Sequence, residues 1–309
     1  MSDSLVNLRH KLGSARQLAS VVRAMKAVAA TSIAQYEAAV AALADYSKCV
    51  ELGLSLSLRD GSTSDVLAGV GTPSERIPRQ DTPTVALIFG SDQGLVGRFN
   101  EVIAEYALQT LRKLPGPKMI WVVGERVMPH LEAEGLKARS KLMVPNSVAA
   151  ITSLVDDIQL QIEDFTSGGQ YPVYVFHQRP RAPARYEPAM QRLLPFDANW
   201  HRGLVQLPWP GNPLPEILGG GPLNLPALIH EYLFICLYKA CAESLASENA
   251  SRLEAMQRAE KNIDHISDEL HRSLNRLRQS SIDAELFDVV AGFNAIGSAK
   301  SGTNRPIED

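Results

Sequence analysis

The residues between Pro226 and Gly292 run for 65 positions without a glycine or a proline. A second clean run, Ser14 to Leu52, holds 39 residues near the other end of the chain. Eighteen of the nineteen prolines lie between Pro73 and Pro226. Helix breakers are thus confined to the middle, and both ends are free to form very long helices. Globular helices average about 11–12 residues, whereas a helix of some 65 residues would span roughly 100 Å. No single globular core needs that length. The pattern predicts a shaft made from the two ends, with a compact body inserted between them.

Both runs carry a helical seam. At the N-terminal end, apolar positions step by three and four: Leu5, Leu8, Leu12, Ala15, Ala19, Val22, then Lys26, Ala29, Ile33, Tyr36, Val40 and Leu43. At the C-terminal end they read Met256, Ala259, Ile263, Ile266, Leu270, Ser273, Leu277, Ser280, Ala284, Phe287 and Ala291. Sustained heptads of this kind mark a coiled coil rather than a surface helix. Two seams at opposite ends of one chain most simply pair with each other. Because the body returns the chain to its base, the pair should be antiparallel. The N-terminal run is the shorter, so about the last 20 residues of the C-terminal helix are expected to project beyond it. Polar residues within the seam, Lys26, Ser273 and Ser280, have two readings: they set register at a cost in stability, or they face another protein. Arg252, Arg278, Gln279 and Asp283 lie off the seam, where a solvated face is the default.

From Thr84 the pattern changes to short apolar runs. TVALIFGS, KMIWVVG and PVYVFHQ read as buried strands, rich in β-branched residues and bounded by turn residues. Helical stretches at Asn100–Lys113, Glu125–Glu134 and Val148–Phe165 separate them. Strand–helix alternation predicts a mostly parallel, Rossmann-like sheet with covering helices. The resulting α/β organisation runs as follows: an N-terminal coiled-coil helix over 1–58, a linker over 59–83, and the sheet domain over 84–207. A hinge over 208–226, the C-terminal helix over 227–297 and a polar tail over 298–309 complete it.

Such a sheet invites an enzyme reading, which its motifs do not support. Gly90, Gly94 and Gly97 in GSDQGLVGRFN lack dinucleotide-fingerprint spacing, and no Lys plus Ser/Thr follows as a phosphate loop requires. Asp92 has no second acid or histidine at useful spacing, so its expected role is to cap the turn or the following helix. His130, His177, His201, His230, His265 and His271 are scattered, with no pair at four-residue spacing. No metal, cofactor or catalytic residue is expected. The three cysteines, Cys49, Cys236 and Cys241, argue against a disulfide framework, and the small thiols read as buried apolar residues. A net charge of −3 gives no global case for nucleic acid, and a polyanion could be held only by a local patch. The candidate span around Tyr232–Ala242 is interrupted by Lys239, so no helix is expected to cross a membrane. MSDSLVNLRHKLG has no apolar signal core, so the chain is expected to stay in the cytosol.

Three segments carry a family resemblance. They are LRHKLGSARQLASVVRAMKAVAA near the N-terminus, SDQGLVGRFN after the first strand, and ASENASRLEAMQRAEKNI followed by NRLRQSSIDAELFDVVAG. In order, spacing and layout the chain resembles the gamma subunit of F-type ATP synthases over about residues 4–297. The resemblance implies an antiparallel coiled coil of the termini with a Rossmann-like domain at its foot. It implies a non-catalytic central rotor that threads a ring of alpha and beta subunits. Its foot would rest, with the epsilon subunit, on the membrane rotor c-ring, peripheral to the cytoplasmic face of the plasma membrane. No nucleic acid and no small-molecule substrate would be bound. An asymmetric shaft in a pseudo-threefold ring meets each catalytic subunit differently and so biases otherwise equal sites.

The resemblance also assigns contacts. Met25 and Lys26 match the family's Ala-Met-Lys position near the lever region of a beta subunit, and Arg252 matches an arginine of the same region. Arg278 and Gln279 match the Arg-Gln pair that meets the catch loops of the ring. Asp283 stands where the family usually has threonine, and Glu285 matches its acidic residue. Departures are Val96 for the family's cysteine, Arg98 for a small residue, a nearly neutral TSIAQYEAAVAAL, a Pro- and Gly-rich segment before the long helix, and the polar tail. They point to a divergent or alternative F-type complex. An enzyme with a coiled-coil arm, as in some tRNA synthetases, would need a pocket and substrate signature. A free-standing scaffold leaves the βα body unexplained.

Overall fold

The computed structural model describes residues 2–59, 82–167, 171–182, 185–211 and 221–301. Helix α1 spans Ser2–Arg59 and helix α6 spans Gly221–Ser301. Between them come β1 (Thr84–Phe89), α2 (Phe99–Leu111), β2 (Lys118–Val123), a 3-10 turn (Glu125–Val127), α3 (Met128–Glu132) and β3 (Ala138–Leu142). Then follow α4 (Val148–Thr166), β4 (Val173–Ala182), β5 (Arg185–Leu194) and α5 (Ala198–Val205). The chain divides into two compact units, residues 1–26 with 256–309, and residues 27–255.

The first unit is a pair of antiparallel helices. Arg23 and Lys26 of α1 meet Glu260 of α6, whereas Lys11, Ser14, Ala15 and Leu18 share an apolar groove of about 280 Å³ with Ile263, Ile266 and Leu270. Descending numbers on one helix thus match ascending numbers on the other. Leu12, Ala15, Ala19, Val22 and Met256 are buried, as the seam requires. Alanine fills little of the space a seam leucine would, which leaves the groove open beside Ile266. Counting residue for residue along the two antiparallel helices from Lys26 and Glu260, α1 is exhausted at about residue 284 of α6. The seam residues Phe287 and Ala291, which the heptads include, are exposed there.

The second unit is built on a five-stranded sheet in the order β3-β2-β1-β4-β5. β1 pairs in parallel with β2 and β4, β2 pairs in parallel with β3, and β5 runs antiparallel to β4. All six residues of β1 are buried, because both faces are covered. Val85, Leu87 and Phe89 pack with Trp121, Val123, Val173 and Val175 beneath α4, α6 and the lower part of α1. Ala86 and Ile88 pack with Ile120, Val122 and Phe176 against Ile103, Ala107 and Leu111 of α2 and Leu131 of α3.

Four sequence expectations need correction. Strands β3 and β5 and helix α5 are additions to the expected elements. Helix α6 begins at Gly221, within the expected hinge, since Pro222 lies in a first turn that needs no amide donor. Both long helices hold an 18-residue window of mean hydropathy 1.3, although neither is an unbroken apolar run. Asp92 caps the turn after β2, not helix α2, whose first turn has no side-chain cap. The linker falls almost wholly on residues 60–81, the core of the hinge on 212–220 and most of the tail on 302–309, all outside the described residues.

Candidate partner interface

Lys26, the charged residue of the α1 seam, is answered from across the coil. Its Nζ lies 2.5 Å from Glu260 Oε2, and Arg23 Nε donates to Glu260 Oε1 at 3.0 Å. The hydrogen bonds from Lys26 and then Arg23 hold the Glu260 carboxyl below its ordinary value. A cation in the seam with its anion on one rung of the partner suits the register reading, and the Lys26 side chain, 35% exposed, also remains open to another protein. Met25, one residue away, is half-buried.

Arg252 belongs to the other unit and is only 8% exposed. Its Nη2 donates to Glu248 Oε1 at 2.6 Å and its Nη1 to Asn249 Oδ1 at 3.1 Å. Burial pushes the Glu248 carboxyl up, and the Arg252 charge opposes that shift. The guanidinium is therefore committed inside the chain.

Arg278, Gln279, Asp283 and Glu285 stand together on the last turns of α6 and are all exposed. The apolar residues among them are also uncovered: Ile282 is 53% exposed, Leu286 61%, Phe287 71%, Val289 72% and Val290 48%. Large side chains open on several sides of one helix enter no core among the described residues. Such a surface belongs against another molecule. Two more exposed apolar residues of the first unit, Leu18 and Val21, lie on α1. Of the expected contact residues, Arg278, Gln279, Asp283 and Glu285 are exposed near one another along α6, Met25 and Lys26 lie on the coil, and Arg252 turns inward.

The loop after β1 is a rigid knot. Asp92 Oδ1 accepts from Glu125 N at 2.9 Å and Oδ2 from Val144 N at 2.7 Å, tying the loops after β1, β2 and β3. Asn100 Oδ1 accepts from Ser91 N at 3.0 Å, and its Nδ2 donates to Ser91 Oγ at 2.8 Å. Leu95, at φ 62°, sits in the left-handed region that a leucine adopts only under constraint.

In doubly wound sheets a ligand lies beyond the carboxyl ends of the strands where their order reverses, here between β1 and β4. That crevice holds the protein's own groups. Gln178 Nε2 donates to Phe99 O at 2.6 Å, Ser247 Oγ donates to Gln178 O at 3.1 Å, and Ser251 Oγ donates to Val96 O. Helix α6 occupies the place of a ligand. Sequence reasoning missed this polar seat, although one signal was present: Glu243, Ser247 and Ser251 recur at four-residue spacing on the long helix.

Burial pushes the Cys236 thiol up to about 11 and raises that of Cys241, so both are inert packing residues. Cys49 is exposed. Among the described residues no group of three or more His, Cys, Asp or Glu could hold a metal ion.

A family model described as ATP synthase matches residues 4–296. The ATP synthase gamma chain of Glaesserella parasuis serovar 5 is 26% identical over 298 residues, covering 94% of this chain and 98% of that one. The ATP synthase gamma chain of Leifsonia xyli subsp. xyli is also 26% identical, covering 97% of this chain and 100% of its own. A chain in the cryo-EM structure of the Euglena gracilis mitochondrial ATP synthase (OSCP/F1/c-ring, rotational state 3) shares the fold. It has a TM-score of 0.63 and 15% identity over 100% of this chain and 99% of that one. By the match over 293 of its 309 residues, the chain belongs to the ATP synthase gamma-chain family.

Proposed function

We propose that the protein is the central-stalk rotor subunit of an F-type ATP synthase. It couples ion flow through a membrane rotor ring to nucleotide chemistry in a surrounding ring of alpha and beta subunits. The observation that carries this reading is the C-terminal part of α6, where Ile282, Leu286, Phe287, Val289 and Val290 are exposed among the described residues. A helix end that is apolar on several sides requires a sleeve, and the family supplies one in its catalytic ring. Arg278, Gln279, Asp283 and Glu285 would form polar contacts with that sleeve, and Met25 and Lys26 with a beta-subunit lever. Arg252 would act on the same region from inside, through Glu248. The foot would meet the epsilon subunit and the c-ring, and the complex would sit on the cytoplasmic face of the membrane.

The chain itself performs no chemistry in this reading. Its sheet crevice is filled by α6, and the complex's ATPase activity resides in other subunits. Tagged protein expressed in its own cells should co-purify with a catalytic subunit pair in threefold excess. Recovery of the chain without those subunits would refute the proposal, as would micromolar binding of Mg-ATP to the purified chain by calorimetry.

A further inference from the structure

Helix α6 presents a stripe toward the β4–β5 hairpin: Cys236, Ala240, Glu243, Ser247 and Ser251. Steps of four, three, four and four residues put these positions on one face. Four of the five are tied to the sheet side by hydrogen bonds at successive heights. Gln191 Nε2 of β5 donates to Cys236 Sγ at 3.2 Å, and His177 Nε2 of β4 lies 2.9 Å from Glu243 Oε2. Ser247 Oγ donates to the Gln178 carbonyl of β4 at 3.1 Å. Ser251 Oγ donates to the Val96 carbonyl, so Tyr186 of β5 is the donor in its 2.9 Å bond to the same oxygen. Ser247 and Ser251 are 1% and 2% exposed.

Polar ties act here beside the apolar packing of Leu237, Ala242 and Leu245. Beside Glu243 an open pocket of about 240 Å³ is lined by His177, Arg179, Gln191, Lys239 and Glu243 among others. The close-packed apolar residues hold the helix on its core, and the hydrogen bonds add a directional restraint to that non-directional contact. Hydrogen bonds weaken steeply off their line, and ties spread over 15 residues, about 22 Å of helix, resist both rotation and slippage.

We propose that this stripe is a spline: it fixes the rotational angle of α6 on the βα sheet and transmits torque between them within this chain. The proposal rests on the rotor reading above, and it names Ser247, Ser251, Tyr186, His177 and Glu243 as positioning residues. The continuous backbone of α6 then carries the imposed angle along its length.

The test uses the assembled complex with a probe on the βα unit and the catalytic ring locked by a non-hydrolysable nucleotide. Angular variance of the probe measures torsional compliance. The Ser247→Ala/Ser251→Ala/Tyr186→Phe variant should raise that variance about twofold, since roughly half of the directional ties are gone. Its unloaded ATP hydrolysis should match the parent. Ser247→Thr, which keeps the hydroxyl, should stay at the parent variance. The single Ser247→Ala change should raise variance in the same direction by less, and it serves if the triple variant folds poorly. Unchanged variance in a folded, assembled variant overturns the spline and leaves the rotor reading standing. Failure of the parent to assemble or rotate overturns the rotor reading, and the spline with it.

Discussion

At the scale of single residues, two ion pairs of opposite character define what charge does in this protein. Glu260 serves Lys26 and Arg23 at the coil surface, and its folded value lies below the ordinary 4.5. A depressed carboxylate contributes stability above its unfolded value and loses it as pH falls through the folded one. Thermal stability of the coil, read by circular dichroism, should therefore step down as pH drops below about 4.5. Glu260→Gln should abolish the step, and high salt should shrink it. Glu248 and Arg252 are instead buried, where the loss of one partner strands the other. Arg252→Met should destabilise the chain by about 3–5 kcal/mol in chemical denaturation, whereas Glu248→Gln/Arg252→Met should recover most of that loss. A small effect of the single change would mean that the pair is not held internally. Arg252 also shows what sequence could read: the arginine was found, but its inward direction was not. Its partner lies one helical turn away on the same helix, and burial of that turn depends on the β1 loop and the sheet.

At the scale of elements, the end of α6 is where structure and partner separate. Arg278 and Gln279 offer several donors, which on a solvated face contribute little and against carboxylates or carbonyls about 1.5–3 kcal/mol each. Arg278→Ala/Gln279→Ala should leave the helicity of the isolated chain unchanged, because alanine favours helix. It should lower turnover of the assembled complex severalfold or weaken assembly. Parent-level turnover, yield and coupling together would leave the two residues as solvated face. Leu286→Ser/Phe287→Ser should likewise keep the melting temperature of the free chain and reduce its recovery with the catalytic ring. The strands tell a related story. β1, β2 and β4 were legible because burial on both faces demands unbroken apolar runs. β3 (ARSKL) and β5 (RYEPAMQRLL) were not, since they are edge strands. An edge strand keeps charges outward, carries Pro188, and in β3 breaks register beside Arg139. Pairing with an inner neighbour stabilises them, and that neighbour lies elsewhere in the sequence.

At the scale of the whole molecule, the two units differ in what sustains them. The unit of residues 27–255 has two apolar layers around a sheet. The unit of residues 1–26 with 256–309 has one seam, a groove and exposed aliphatic residues. Helices of this kind rely on packing rather than propensity, so local opening should be easier there. Hydrogen exchange over Glu254–Ala291 should slow markedly on assembly with the catalytic ring. Equal protection in the free and assembled chain would contradict the sleeve.

The sequence alone determined the two long helices, because a segment without glycine or proline and with a heptad seam has few other ways to satisfy its backbone. It determined the inner strands of the sheet for the same local reason. Tertiary structure decided which polar groups pair. His177 meets Glu243 across 66 residues of chain, and Ser251 meets Val96 across 155. No local pattern records such pairs, since a buried donor accepts whatever acceptor the folded backbone brings within about 3 Å. The same physics turned Arg252 inward, gave Asp92 to the turns after β2 and β3, and left the end of α6 uncovered once α1 ran out beside it.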